Sequence, residues 1–357
     1  MFTFVVPGPI DQVTGGYIFD RRLVETLRAA GRRVDVVELP GRFPMADERA
    51  RASAGAVLAR LPDRSLVVVD GLALPAFDRA VQTHRGRLRI IGFVHHPLAV
   101  ETGLTDEDRD RLAAIESRVW SMLAGIVCPS RESAQAVARV GIADTRIEIA
   151  PPGTNPPPAL NAARVPRLRP DSGPGAPVHL LAVGTVIPRK GHLLLVDALS
   201  ELKTLNWRLD CIGSLERSPD SVKLLRDRIR DLGLGARVSL HGEVSESARD
   251  AAYGRAEVFA LPSFHEGYGM VFAEAMAWGL PIVATTGGAI PDTVPAQAGR
   301  LVAPGDRPAL VSALAELIGD DDLRARMSLA ARSAAQALPD WRAASTRWIE
   351  AVERLAQ

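Results

Sequence analysis

The chain has 357 residues, 47% of them hydrophobic and 24% charged, with a formal net charge of +1. That length suits two domains, and the near-neutral charge gives no pull toward nucleic acid. Cys128 and Cys211 lie far apart in apolar runs, which predicts buried reduced thiols and a cytoplasmic setting rather than a disulfide or a metal site. The start MFTFVVPGPI lacks a basic leader and no apolar run is long enough to span a bilayer, so no membrane span is expected.

From the N-terminus, apolar β-branched runs alternate with amphipathic stretches. TFVVPG, RVDVVEL, SLVVVDG and RIIGFVHH read as strands; IFDRRLVETLRAAG and the segment from about Arg131 to Val140 read as helices. Such alternation predicts a parallel sheet covered by helices on both faces. Gly15 and Gly16 fall between the first strand and the first helix, where a backbone can approach a phosphate closely. DEDRDR, residues 106–111, reads as a solvated helix face or a loop.

The proline- and glycine-dense segment 151–177 reads as a linker, since proline removes backbone donors and disfavours helix in the residue before it. The alternation then restarts with VHLLAVGT, HLLLVDALSELKTL, RLDCIGS, RVSLHG, EVFALPS, the helical MVFAEAMAW, PIVATT and RLVAP. The expected division is an N-terminal domain over 1–165, a linker over 166–177, a second domain over 178–338 and a last helix over 339–357, with Trp341, Trp348 and Val352 on one apolar face.

Chemistry concentrates in the second half. EGYGMVFAEAMA follows a strand end, and its glycines precede a helix whose first amides, at Gly269, Met270 and Val271, can hold a phosphate. Glu266 and Glu274 flank that cradle. Like charges repel, so these carboxylates suit hydroxyls on either side of a phosphate, as in a nucleoside diphosphate sugar. Lys190, Lys203 and Lys223 are the only lysines, and Lys190 sits beside Arg189 in the loop that follows the strand ending at Gly184. Two cations there can meet a diphosphate and stabilise a leaving group. Gly213, in CIGS, and His241, in RVSLHG, end strands beside the same region.

Residues Glu266 to Ala284 match E-G-[FY]-G-x-x-x-x-E-A-x-[AS]-x-G-x-P-[VI]-[VI]-[AG], and the second half resembles the donor domain of the retaining glycosyltransferases of family 4. The resemblance implies an α/β protein of the GT-B fold, two doubly wound Rossmann-like domains facing across a cleft, with the last helix crossing back to the first domain. It implies that Glu266 touches sugar hydroxyls, Glu274 holds the ribose and the amides at Gly269 to Val271 bind the diphosphate. Lys190 fits the family's lysine position. Thr185 stands where an arginine is usual, and Arg189 takes that role in the variant form V-G-T-x-x-P-R-K. By the same resemblance Gly15 and Gly16 close over the donor phosphate, Gly184 belongs to the donor site, Gly213 and His241 fall in the base-binding region, and His95 lies near the reacting sugar, with His96 the alternative.

The expected activity is retaining, metal-independent transfer of a hexose from a nucleotide sugar to an acceptor hydroxyl, without a cofactor. The acceptor is a glycan, a small molecule or a lipid-linked group; the last would bring peripheral contact with the inner face of a membrane. The alternatives are a nucleotide-sugar epimerase, a phosphorylase or a non-catalytic nucleotide-sugar binding protein. A glycosidase does not fit, because cations have no role beside its carboxylate pair. A nicotinamide dehydrogenase does not fit either, because PGPIDQVTGG replaces the G-x-G-x-x-G that should follow the first strand.

Overall fold

The computed structural model describes residues 1–155, 157 and 176–357. Its contacts divide the chain into unit 1, Met1–Gly153 with Pro339–Gln357, and unit 2, Thr154–Leu338. Unit 1 thus ends before the expected 165: its last strand is Ile147–Ile149, and Pro151 and Pro152 follow at once. The linker expected at 166–177 lies outside the described residues except for 176 and 177.

Unit 1 contains six parallel strands: β1 (Phe2–Pro7), β2 (Val34–Leu39), β3 (Leu66–Asp70), β4 (Arg89–Phe93), β5 (Gly125–Cys128) and β6 (Ile147–Ile149), in the spatial order β2-β1-β3-β4-β5-β6. β1, β4 after its first residue and β5 are buried throughout, which is why β1 and β4 read as apolar runs; β5, only four residues long, is not among the strands the alternation predicts. DEDRDR opens the helix Asp106–Met122, where three acidic residues sit in the first turn and the Thr105 hydroxyl accepts from the Asp108 amide. The helix Trp341–Leu355 belongs to this unit. Trp348, fully buried, packs against Phe2, Phe4 and Phe93 at ring separations of 5.9, 5.9 and 5.5 Å.

Unit 2 contains β7 (Val178–Val183), β8 (Trp207–Ile212), β9 (Val238–Leu240), β10 (Val258–Leu261), β11 (Ile282–Thr285) and β12 (Gly299–Val302), all parallel, in the order β12-β11-β10-β7-β8-β9. This is the dinucleotide-binding strand order, outward in both directions from β7 and β10. The order in which strands are added reverses between β1 and β3 in unit 1 and between β7 and β10 in unit 2. At such switch points the loops diverge and leave a crevice beyond the strand ends. Cys128 and Cys211 are free and buried, and among the described residues no helix is long and apolar enough to cross a membrane.

Candidate functional site

In unit 2 the residues singled out from the sequence collect at the β7/β10 switch point. β7 runs into Gly184 and Thr185, and a single turn, Pro188–Lys190, carries Arg189 and Lys190. Gly191 then adopts a left-handed conformation with φ 71°, and a Cβ there would lie 2.2 Å from the Pro262 carbonyl oxygen. Only glycine lets this loop lie so close to the segment after β10. The Phe264 amide donates to the Arg189 carbonyl at 2.7 Å, tying the two loops together.

Glu266 emerges from that second segment, 5% exposed. Lys190 Nζ donates to its Oε1 at 2.6 Å, and Arg189 Nη1 lies 3.4 Å from its Oε2 while also donating to the His265 carbonyl at 2.7 Å. Burial opposes the charge on Glu266, but Lys190 and Arg189 outweigh it and hold the carboxyl down at about 2. The main chain of Glu266 is fixed as well. Its carbonyl accepts from the Ala289 amide at 2.8 Å, and Gly287 and Gly288 pass so near that a Cβ on either would lie 2.3 Å from a carbonyl oxygen of this segment.

Gly269 begins the helix Met270–Ala277 in a left-handed conformation, φ 84°, and no side chain caps that helix. The amides of Met270 and Val271 thus open it, next to Glu266. Glu274 lies half-buried within the same helix and accepts from the Tyr253 hydroxyl at 3.0 Å. Gly213 follows β8 with φ 145°, where a Cβ would lie 2.2 Å from the Gly184 carbonyl oxygen. His241 follows β9 and pairs with Asp210, Nε2 to Oδ1 2.8 Å, on the surface.

Unit 1 carries a second cluster at its own switch point. Gly15 and Gly16 are the first two residues of the helix Gly15–Ala29 rather than residues before it, and Thr14 ahead of them makes no side-chain cap. Gly16 lies over the His95 ring: a Cβ there would meet His95 Cδ2 at 3.4 Å. His95, just past β4, is packed by Phe93 and Phe19 at ring separations of 4.4 and 5.7 Å. Its Nε2 lies 3.1 Å from a carboxylate oxygen of Asp20 and 3.1 Å from one of Asp70. Burial disfavours the imidazolium, but the two carboxylates reverse the effect and raise His95 to about 10. Asp20 rises to about 7, through burial and the neighbouring Asp70. His96 faces Glu101 instead, 3.6 Å away.

Sequence reasoning missed Asp20, Asp70 and Glu116. Asp20 looks like one more polar position of an amphipathic helix, yet it is 1% exposed; Asp70 ends β3 and is 4% exposed. Glu116 is buried and accepts from the amides of Leu98 and Ala99 at 2.7 and 3.3 Å, bracing the segment that follows His96. The one available signal was Asp70, an acidic residue at the carboxyl end of a strand.

Residues 168–334 match the family model of glycosyl transferases group 1. The chain is 32% identical over 248 residues to D-inositol 3-phosphate glycosyltransferase of Xylanimonas cellulosilytica, covering 67% of this chain and 58% of that one. It is 31% identical over 226 residues to the GDP-mannose-dependent alpha-(1-6)-phosphatidylinositol monomannoside mannosyltransferase of Mycobacterium tuberculosis, covering 59% and 54%. It thus spans less than two thirds of the length of these relatives. Among solved structures, sucrose-phosphate synthase of Thermosynechococcus elongatus has a TM-score of 0.80 at 20% identity, over 98% of this chain and 97% of that one. HepE of Anabaena, in complex with UDP and glucose, has a TM-score of 0.75 at 18% identity, over 99% of each chain. The two six-stranded parallel sheets have the GT-B fold of these structures. Through residues 168–334, the chain belongs to the glycosyl transferases group 1 family.

Proposed function

We propose that the protein is a retaining glycosyltransferase that moves a hexose from a nucleoside diphosphate sugar to an acceptor hydroxyl. The observation that carries this reading is the gathering of charged groups at the β7/β10 switch point. Two cations, Arg189 and Lys190, converge on the buried carboxylate of Glu266. Beside it an uncapped helix start adds the positive end of a dipole. Such a place attracts a diphosphate, and removal from water strengthens the attraction.

In the proposed reaction the bond from the anomeric carbon to the diphosphate oxygen breaks and a bond to the acceptor oxygen forms on the same face. The acceptor proton passes to the departing phosphate oxygen. Lys190, Arg189 and the amides of Met270 and Val271 stabilise the growing charge, so that this chain's own cations serve the leaving group and the transfer draws on no cofactor. Glu266 contacts sugar hydroxyls and Glu274 the ribose, while Gly184, Thr185 and Gly213 line the diphosphate and His241 borders the base. In unit 1, Gly15 and Gly16 approach the phosphate and His95 contacts the substrate. The acceptor is a glycan, a small molecule or a lipid-linked group; the last would place the protein at the inner face of a membrane. The names of similar proteins support a nucleotide-sugar donor, since one is GDP-mannose-dependent and HepE was solved with UDP and glucose.

The test is a thermal-stability screen of UDP-, GDP- and ADP-hexoses, followed by assay of nucleoside diphosphate release from whichever stabilises the protein. Stabilisation with release that depends on an added hydroxyl acceptor supports the proposal. Stabilisation without release under any acceptor would favour a nucleotide-sugar binding protein, and no stabilisation by any donor would contradict both.

A further inference from the structure

We infer that Asp20 and Asp70 are positioning residues that hold His95 as an imidazolium, with Nε2–H shared between them and Nδ1–H presented as a donor to an oxygen of the substrate. The inference rests on the reading that His95 contacts the substrate, and it assigns a task to two side chains that this reading leaves without one.

Four geometric facts support it. Carboxylate oxygens only accept hydrogen bonds, and two of them lie 3.1 Å from His95 Nε2, so Nε2 carries a hydrogen in every state in which both are ionised. The ring is held on its remaining sides by Phe19, Phe93 and the bare Cα of Gly16. The Ser133 hydroxyl donates to the His95 carbonyl at 3.0 Å, which fixes the main chain beneath it. Among the described residues Nδ1 has no hydrogen-bond partner, and the His95 side chain keeps 18% of its surface exposed. The ring is therefore anchored by one nitrogen and has a hydrogen-bonding position to spare at the other.

Charge decides the protonation state. Asp20 comes from the helix after β1 and Asp70 from the end of β3; the other neighbours, Phe19, Phe93, Gly16 and Ser133, carry none. Both carboxylates are almost fully buried, 1% and 4% exposed. Two adjacent buried anions are costly unless a cation lies between them. A second proton on His95 supplies that cation, and the upward shift of His95 follows from the same contacts. A neutral imidazole would offer a lone pair at Nδ1; the imidazolium offers an N–H, which suits a hydroxyl or phosphate oxygen.

The experiment is long-range ¹H–¹⁵N spectroscopy of the histidine rings in the full chain, with His95 assigned from the spectrum of His95→Gln. In the wild type both ring nitrogens of His95 should keep imidazolium shifts from about pH 6 to about pH 9. Asp20→Asn should lower the midpoint of His95 by at least about two pH units, roughly a hundredfold in the protonation equilibrium; Asp70→Asn provides the same reading if Asp20→Asn does not fold. A neutral imidazole in the wild type at about pH 7.5, or displacement of the imidazolium by added Mg²⁺, would overturn the inference.

A second readout uses turnover of UDP-glucose, GDP-mannose or ADP-glucose. The pH profile of kcat/KM for Asp20→Asn should fall about tenfold per unit above the new midpoint, where that of the wild type does not. An identical profile in both proteins would also count against the inference. His95→Ala keeps the two readings apart. If it turns over at the wild-type rate, His95 has no part in the reaction, while the spectrum still reports whether the carboxylates hold it charged.

Discussion

At the residue scale, Glu266 is the most exposed to test, because its charge is buried and balanced. Its carboxyl lies at about 2 rather than the ordinary 4.5. A depressed carboxyl stabilises the fold above its unfolded value and loses that contribution as pH falls through the folded one, here between about 4.5 and about 2. The shift corresponds to about 3 kcal/mol. Urea unfolding at successive pH values should show the wild type more stable than Glu266→Gln at neutral pH, with the difference shrinking across that window; a difference independent of pH would mean that the ion pairs contribute nothing. Glu274 separates ligand binding from structure in another way. The Tyr253 hydroxyl donates to Glu274, and an amide oxygen can still accept that bond, though less strongly than a carboxylate. Glu274→Gln should therefore lower the melting temperature only slightly while weakening donor affinity by about 1.5–3 kcal/mol through loss of a charged acceptor. A lower melting temperature with unchanged affinity would make Glu274 purely structural. Glu266 and Glu274 were legible because a long motif names both, and Arg189 and Lys190 because they follow a strand end in a loop of their own. Asp20 and Asp70 were not, because they lie 75 and 25 residues before His95 in sequence and meet it only through the order of β1, β3 and β4.

At the element scale, alternating strand and helix patterns in the sequence located most of both sheets, since buried parallel strands are apolar on both faces. Short edge elements were harder to see. β6 has three residues, half-buried or exposed, and carries neither a continuous apolar run nor a clean alternation. The loops that shape the site depend on contacts that no local pattern reveals, and Gly191 shows the difference. Gly191 and Gly233 both have left-handed φ, 71° and 66°, but a Cβ at Gly233 meets nothing within 4 Å whereas one at Gly191 strikes the Pro262 carbonyl at 2.2 Å. Gly233→Ala should cost about 1–2 kcal/mol, the price of the conformation alone. Gly191→Ala should cost more than about 3 kcal/mol, because the loop carrying Arg189 and Lys190 must also shift. Chemical unfolding of the two variants measures both, and equal costs would show that the Pro262 contact relaxes freely.

At the scale of the whole molecule, each unit has its own sheet and core, and each gathers its charged residues at its own switch point. The last helix completes the core of unit 1 through Trp348. Trp348→Ala removes a fully buried side chain, worth about 3–5 kcal/mol. Hydrogen exchange should accelerate in Phe2–Pro7 and Arg89–Phe93, the strands that carry its ring partners, and remain unchanged in 178–335; equal acceleration in both units would mean that they do not hold separate cores. The central claim is that the trio of Arg189, Lys190 and Glu266 beside the open helix start receives a nucleoside diphosphate. Calorimetric titration of UDP, GDP and ADP into the wild type and Lys190→Ala tests it most directly. The account predicts that at least one of the three binds the wild type and that Lys190→Ala weakens it about tenfold or more, since a charge-assisted contact is worth about 1.5–3 kcal/mol. Absence of binding by all three, or equal affinity in the two proteins, would contradict it.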